Sequence, residues 1–196
     1  MARWKADRKE ATRRRILEAA AHLFRERGYA STSVSDVMEH LGLTVGGFYA
    51  HFESKEALLS EVVAESMVRT RDVLLLGLEQ VEGIAFVREV TQRYLSRFHR
   101  DHPEHGCVLP TLAAEVGRHG SGPREAVEQY LREMTDLLAK KASPRFDAFS
   151  AEEAALALTA LSVGGILLAR AVKDEALSDT ILETCRRFAV AEPARR

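Results

Sequence analysis

From Ile16 to Val190 apolar residues return every three or four positions, and glycine and proline cut the runs into segments. That period puts side chains on one face of an α-helix, whereas a half-buried strand would alternate. Ile16, Leu17, Ala20, Leu23 and Phe24 make the first stripe, and Gly28 is placed to end it. Ser33 opens a second helix, with Asp36 three positions on as a capping-box partner and Val34, Val37, Met38 and Leu41 facing inward. Gly42 breaks that helix, and Thr44 caps a short third one running to about Ala50. Ser54 caps a long fourth helix carrying Leu58, Leu59, Val62 and Val63. Further helices are expected over 83–101, with Phe86, Val90, Tyr94 and Phe98 inward, then over 108–118, 124–141, 151–172 and 175–190. His102-Pro103 and Ser143-Pro144 act as stops, because the residue before proline resists helical geometry. The sum is an all-α fold of about nine helices: three short ones at the N-terminus and a helical body behind them.

At 196 residues, 46% of them hydrophobic and 29% charged, the chain has the composition of a soluble globular protein. No apolar run reaches the roughly 18 residues that span a bilayer, so no transmembrane anchor is expected. The opening MARWKADRKEATRRR has no apolar stretch before Ile16 and does not read as a secretion signal. Cys107 and Cys185 form no framework pattern, which suits a reducing cytoplasm. Net charge is only -1, but Arg3, Lys5, Arg8, Lys9, Arg13, Arg14 and Arg15 crowd the start against Asp7 and Glu10 alone. A basic end on a near-neutral chain points to a local anionic partner, DNA or a membrane surface. The interspersed acids and the missing apolar face disfavour an interfacial helix.

Two short helices joined through Leu41-Gly42-Leu43 make a helix-turn-helix. Gly42 permits the reversal, and the Thr44 end of the second helix offers N–H groups and a positive dipole to a polyanion. A helix of this size fits the major groove, where base edges are distinguishable. The segment RRRILEAAAHLFRERGYASTSVSDVMEHLGLTVGGFYAHFESKEALLSEVV resembles the N-terminal domain of the TetR family of repressors. The likeness runs through Gly28-Tyr29, Thr32-Ser33-Val34, Phe48-Tyr49-x-His51-Phe52 and Lys55-Glu56-x-Leu58. It implies that Thr32, Thr44, Tyr49, His51 and Lys55 contact phosphates, while Val45 and Gly46 meet base edges, with Thr44 an alternative base contact. Phe48 and Phe52 become core anchors. Taken singly, Tyr49 reads as a packed aromatic and His51 as a surface histidine. Val45, Gly46 and Gly47 offer no bidentate donor to guanine, so thymine methyl contacts, DNA shape and the basic arm are expected to share in specificity. The expected division is a DNA-binding domain over 1–53 and a sensing, dimerising domain over 54–196.

The same resemblance implies a homodimer through the last two helices. Independently, the helix containing Leu156 to Ala171 is apolar over much of its circumference, and Ser162, Gly164 and Gly165 would allow close helix approach. The other reading makes it the core helix of a monomer. An unidentified small-molecule inducer is expected, with Tyr94, Phe98, Leu112, Met134 and Leu161 as candidate lining or simply as core. His99, His102, His105 and Cys107 are close enough in sequence to suggest a metal, but Pro103 interrupts the shared face and no second ligand cluster faces them. They are read as a solvated helix end, and neither metal nor cofactor is expected. The run GCVLPTLAAEV resembles a segment in one branch of the family where some members sense electrophiles or oxidants. Cys107 precedes a helix start, which favours thiolate, so it joins the ligand-binding candidates as an alternative sensor; Cys185 reads as core. No phosphate loop, nucleophile elbow or catalytic set is present in the sequence. The expectation is a cytoplasmic, non-enzymatic regulator: a ligand-released repressor on a palindromic duplex-DNA operator. The reading from a different class is a helical membrane-surface or protein-binding module.

Overall fold

The computed structural model describes residues 2–142 and 149–191, with side chains from Asp7 onward. The expected stop at Ser143-Pro144 and the side chains of Arg3 and Lys5 lie outside the described residues. Among those described, every regular element is helical. The α-helices are α1 (Ala2–Arg27), α2 (Val34–His40), α3 (Val45–Phe48), α4 (Lys55–Leu75), α5 (Gly83–Tyr94), α6 (Arg97–Asp101), α7 (Leu109–Val116), α8 (Ser121–Lys141), α9 (Ala151–Ala171) and α10 (Glu175–Val190). A 3₁₀ turn, Pro103–His105, lies between α6 and α7. These are the nine expected helices with one of them divided. The chain falls into two compact units: residues up to Met67 with Pro103–Val127, and Val68–His102 with the residues from Glu128 onward.

The first unit is built as its stripes require. Ile16, Ala20, Leu23 and Phe24 of α1, Val37 and Met38 of α2, Phe48 of α3 and Leu58, Leu59, Val62 and Val63 of α4 are all buried. Phe48 and Phe52 stack with centroids 5.6 Å apart. Burying each such side chain contributes about 1.5–3 kcal/mol, which is what holds helices too short to be stable alone. The basic opening is not a separate arm: its backbone is the first stretch of α1.

In the second unit α9 packs along α10, and α10 packs on α5. Phe86, Val90 and Tyr94 of α5, Met134 and Leu138 of α8, Ile166 of α9 and Leu182 of α10 are buried. A Cβ at Gly165 would stand 2.8 Å from Leu95 Cδ2 and 3.1 Å from Cys185 Sγ, so glycine there lets α9 approach its neighbours within the chain. Ser162 is likewise buried, whereas a Cβ at Gly164 would meet no atom within 4 Å. Of the three small residues expected to serve a partner helix, Gly164 alone faces open space.

The helix expected over 83–101 is interrupted at Leu95. Ser96 starts α6 afresh, its hydroxyl accepting the His99 N–H at 3.2 Å. The carbonyls freed by the break are taken by side chains: Tyr94 O by His99 Nδ1 at 2.6 Å, and Leu95 O by Arg186 at 2.9 Å. Arg170 of α9 in turn holds the His99 and Arg100 carbonyls. His99 is therefore buried and not part of a solvated helix end. Phe98, expected inward, is 63% exposed, because the break resets the helical phase after Tyr94.

Helix α9, at 21 residues, is long and apolar enough to cross a membrane by length and composition alone. In this fold its Ala155, Ile166 and Ala169 are buried in the packing with α10 and α6, and its Arg170 is tied to backbone carbonyls.

Candidate nucleic-acid interface

The helix-turn-helix is assembled by local chemistry. Ser33 and Asp36 form the full capping box: Ser33 Oγ accepts the Asp36 N–H at 3.1 Å, and Asp36 Oδ2 accepts the Ser33 N–H at 2.6 Å. At the other end α2 closes with a Schellman pair. Gly42 donates to Glu39 O at 3.0 Å and Leu43 to Met38 O at 2.9 Å, and Gly42 takes the left-handed φ of 66° that glycine adopts without strain. The turn then feeds α3, whose only buried residue is Phe48.

That single anchor leaves the other side of α3 uncovered. Val45 is 40% exposed and Tyr49 64% exposed, Thr44 and Gly46 are exposed, and a Cβ at Gly46 would meet nothing within 4 Å. Tyr49 is steadied by its edge-on contact with Phe48, centroids 5.2 Å apart. Thr44 has N-cap geometry, but its hydroxyl makes no cap hydrogen bond. The expected side-chain cap is absent, and the Thr44 Oγ does not accept from the helix it precedes.

His51 is half-buried, with Nδ1 enclosed and without a hydrogen-bond partner. Desolvation first, then the positive charges of Lys9 and Arg13, hold the His51 pKa below the ordinary histidine value. Lys9 is exposed, which adds a specific cation beside His51 that the sequence showed only as part of a basic stretch. Arg13 is engaged elsewhere, pairing with Glu61 and lying 4.6 Å over the Phe52 ring.

Two of the five expected phosphate contacts hold the protein's own backbone, Thr32 buried and Lys55 half-buried. Thr32 is 1% exposed, its hydroxyl donates to Gly28 O at 2.8 Å, and its N–H goes to Tyr29 O at 3.2 Å. Lys55 donates from Nζ to Tyr29 O at 2.6 Å and lies 3.9 Å from the Tyr29 ring centroid. Burial pushes its pKa down. Both residues hold the α1–α2 turn in this conformation, while Thr44, Val45, Gly46 and Tyr49 are exposed and His51 is half-buried.

The ligand-binding candidates do not converge on one site. Leu161 lines a cavity of about 270 Å³ in the second unit, together with Val87, Ala154, Leu158, Phe188 and Ala189. Tyr94 and Met134 are buried in the same unit but outside that lining, and Phe98 sits on the surface against His102 at 4.7 Å. Leu112 and Cys107 are buried in the first unit.

Residues 16–62 match the model of the bacterial regulatory proteins of the tetR family. Residues 83–183 match that of the C-terminal domain of LmrA/YxaF-like transcriptional regulators. The HTH-type transcriptional regulator LmrA of Bacillus subtilis (strain 168) is 30% identical over 170 residues, which are 83% of this chain and 88% of LmrA. The HTH-type transcriptional regulator UidR of Escherichia coli (strain K12) is 32% identical over 104 residues, so the match spans 53% of this chain and about half, 52%, of UidR. A TetR transcriptional regulator from Chloroflexus aurantiacus has the same fold, with a TM-score of 0.77 at 24% identity, covering 95% of this chain and 98% of that one. The relatives are named as regulators and not as enzymes. On the two matching models and the long match to LmrA, this chain belongs to the TetR family of transcriptional regulators.

Proposed function

We propose that the chain binds duplex DNA as a homodimer at a palindromic operator and acts as a repressor that a small molecule releases. The observation that carries this reading is the open face of α3: a helix fixed by one buried phenylalanine presents Thr44, Val45, Gly46 and Tyr49 outward. Thr44, Tyr49 and the Nε2 edge of His51 supply hydrogen bonds to phosphates, which set register without reading sequence. Val45 supplies a methyl contact, and Gly46 allows close approach of base edges. In this division residues 1–53 bind DNA and 54–196 sense and dimerise, with the whole acting in the cytoplasm where the operator is reached.

The dimer is supported by the outer face of the last two helices. Leu156, Leu167 and Leu168 of α9 and Leu177 and Phe188 of α10 are exposed, an apolar surface of the kind that an equivalent helix pair would cover. The inducer reading rests on the apolar cavity at Leu161. No observation favours thiol sensing, since the Cys107 sulfur belongs to a residue 1% exposed.

Selection of sites from random duplex DNA tests the proposal, followed by titration of the enriched duplex at several salt concentrations. A palindromic consensus bound with a steep salt slope is the expected result. No enrichment, from protein refolded free of bound small molecules, would overturn it.

A further inference from the structure

Three side chains distant in sequence from it close on one short segment of the first unit, the Gly28-Tyr29-Ala30 turn between α1 and α2. The Glu115 carboxylate of α7 accepts two successive N–H groups, from Tyr29 at 2.9 Å and from Ala30 at 2.8 Å. Lys55 of α4 holds the Tyr29 carbonyl, as described above, and the His119 ring meets the Tyr29 ring edge-on at 4.6 Å. Gly28 is shaped to this arrangement. Its φ of 86° is left-handed, and a Cβ there would come within 3.3 Å of Glu115 Oε2. One peptide segment is thus gripped by an anion on its donors and a cation on its acceptor.

Hydrogen bonds to an ionised acceptor are the strong kind, and two parallel bonds to one carboxylate fix direction as well as distance. The segment they fix decides how α2 leaves α1. Helices α2 and α3 have seven and four residues, too few to hold a direction by their own hydrogen bonds.

We propose that Glu115 is a positioning residue for DNA binding: by holding the Tyr29 and Ala30 amides it sets the direction in which the helix-turn-helix is presented. It does so from α7, outside the 16–62 segment that matches the family's DNA-binding model. The proposal rests on the DNA-binding reading above.

The test compares the wild type with Glu115→Gln and Glu115→Ala. Each is titrated at one salt concentration with the duplex selected by the wild type and with an unrelated duplex of equal length. Hydrogen exchange of the Tyr29 and Ala30 amides is followed alongside. Both variants are expected to exchange these amides faster and to bind the selected duplex about tenfold more weakly, while affinity for the unrelated duplex is unchanged. Mere loss of folded protein would lower both affinities together and leave their ratio intact. An unchanged ratio with faster exchange would overturn the positioning role, and unchanged exchange would overturn the grip itself. Should Glu115→Ala fail to fold, the near-isosteric Glu115→Gln carries the same test. If the wild type enriches no duplex, the DNA-binding reading fails with the proposal, and that outcome is read from the wild type alone.

Discussion

Helices α3 and α9 each leave a side uncovered, and the two uncovered sides differ in kind. In α3 one residue of four is buried, and what faces out is a hydroxyl, a valine, a glycine and, just beyond, a phenol. In α9 Ala155, Ser162, Gly165, Ile166 and Ala169 face in, and leucines face out, with Leu168 57% exposed. Small and hydrogen-bonding groups suit a polyanion whose grooves admit a helix, while a leucine face gains nothing from phosphate and much from another apolar surface. The lesson is that exposure alone does not name a partner; the chemistry of the exposed side does.

The sharpest way to break the comparison is to remove what holds α3. Phe48→Ala should cost about 3–5 kcal/mol, since the ring is fully buried against Phe52, and DNA binding should vanish with it. Urea denaturation checks this; a loss under about 1 kcal/mol would mean that α3 is held by something other than its anchor.

Next in size is a pH effect centred on His99, which packs on the α9 side. His99 is buried where desolvation, with Arg170 adding to it, lowers its pKa from 6.5 to about 4, against the opposing hydrogen bond to the Tyr94 carbonyl. The folded state therefore resists a proton that the unfolded chain accepts. The resulting stability is complete above pH 6.5 and is lost as pH falls from there to about 4, a change of about 3 kcal/mol. His99→Asn, which keeps a donor for Tyr94 O, should flatten that slope in denaturation curves between those pH values. A slope of equal size in the variant would assign it to other groups.

A charge on the apolar face comes third. Leu168→Glu should weaken self-association by about 2 kcal/mol, roughly thirtyfold in dissociation constant, without lowering the stability of the protomer. Sedimentation velocity reads the first and thermal unfolding at low concentration the second. If the protomer itself is destabilised, the face is core and the dimer assignment fails. The smallest effect belongs to Thr44. With no cap bond to lose, Thr44→Val should leave the melting temperature unchanged and weaken DNA binding by about 1 kcal/mol. A lowered melting temperature with unaltered binding would make Thr44 a capping residue after all.

Much of the helix-turn-helix was legible in the sequence. Ser33 with Asp36, Gly42 at the reversal and the stripe through Val37 and Met38 act through contacts within a few residues of chain, and these appear as read. Thr32 and Lys55 illustrate the limit. The resemblance implies phosphate contacts for both, yet in this fold the Thr32 hydroxyl donates to Gly28 O and one N–H of Lys55 to Tyr29 O. The Leu95 break had a signal in Ser96, a residue suited to an N-cap, but the apolar stripe ran past it and was stronger to a reader of periodicity. Lys9 beside His51 had no separate signal, being one charge among many at the basic end.

By itself the sequence determined where most of the helices begin and end, because caps, glycine turns and three-to-four spacing are interactions between near neighbours along the chain. Tertiary structure decided which donors and faces remain available. Arg186 takes the carbonyl that a helix break exposes, Glu115 takes the two amides of a turn, and Phe98 is turned outward by the reset of phase. Each of these rests on a partner tens of residues away or on the outcome of a local competition. A hydrogen-bonding group satisfied by the fold is no longer offered to a ligand, and no rule of local spacing registers that exchange.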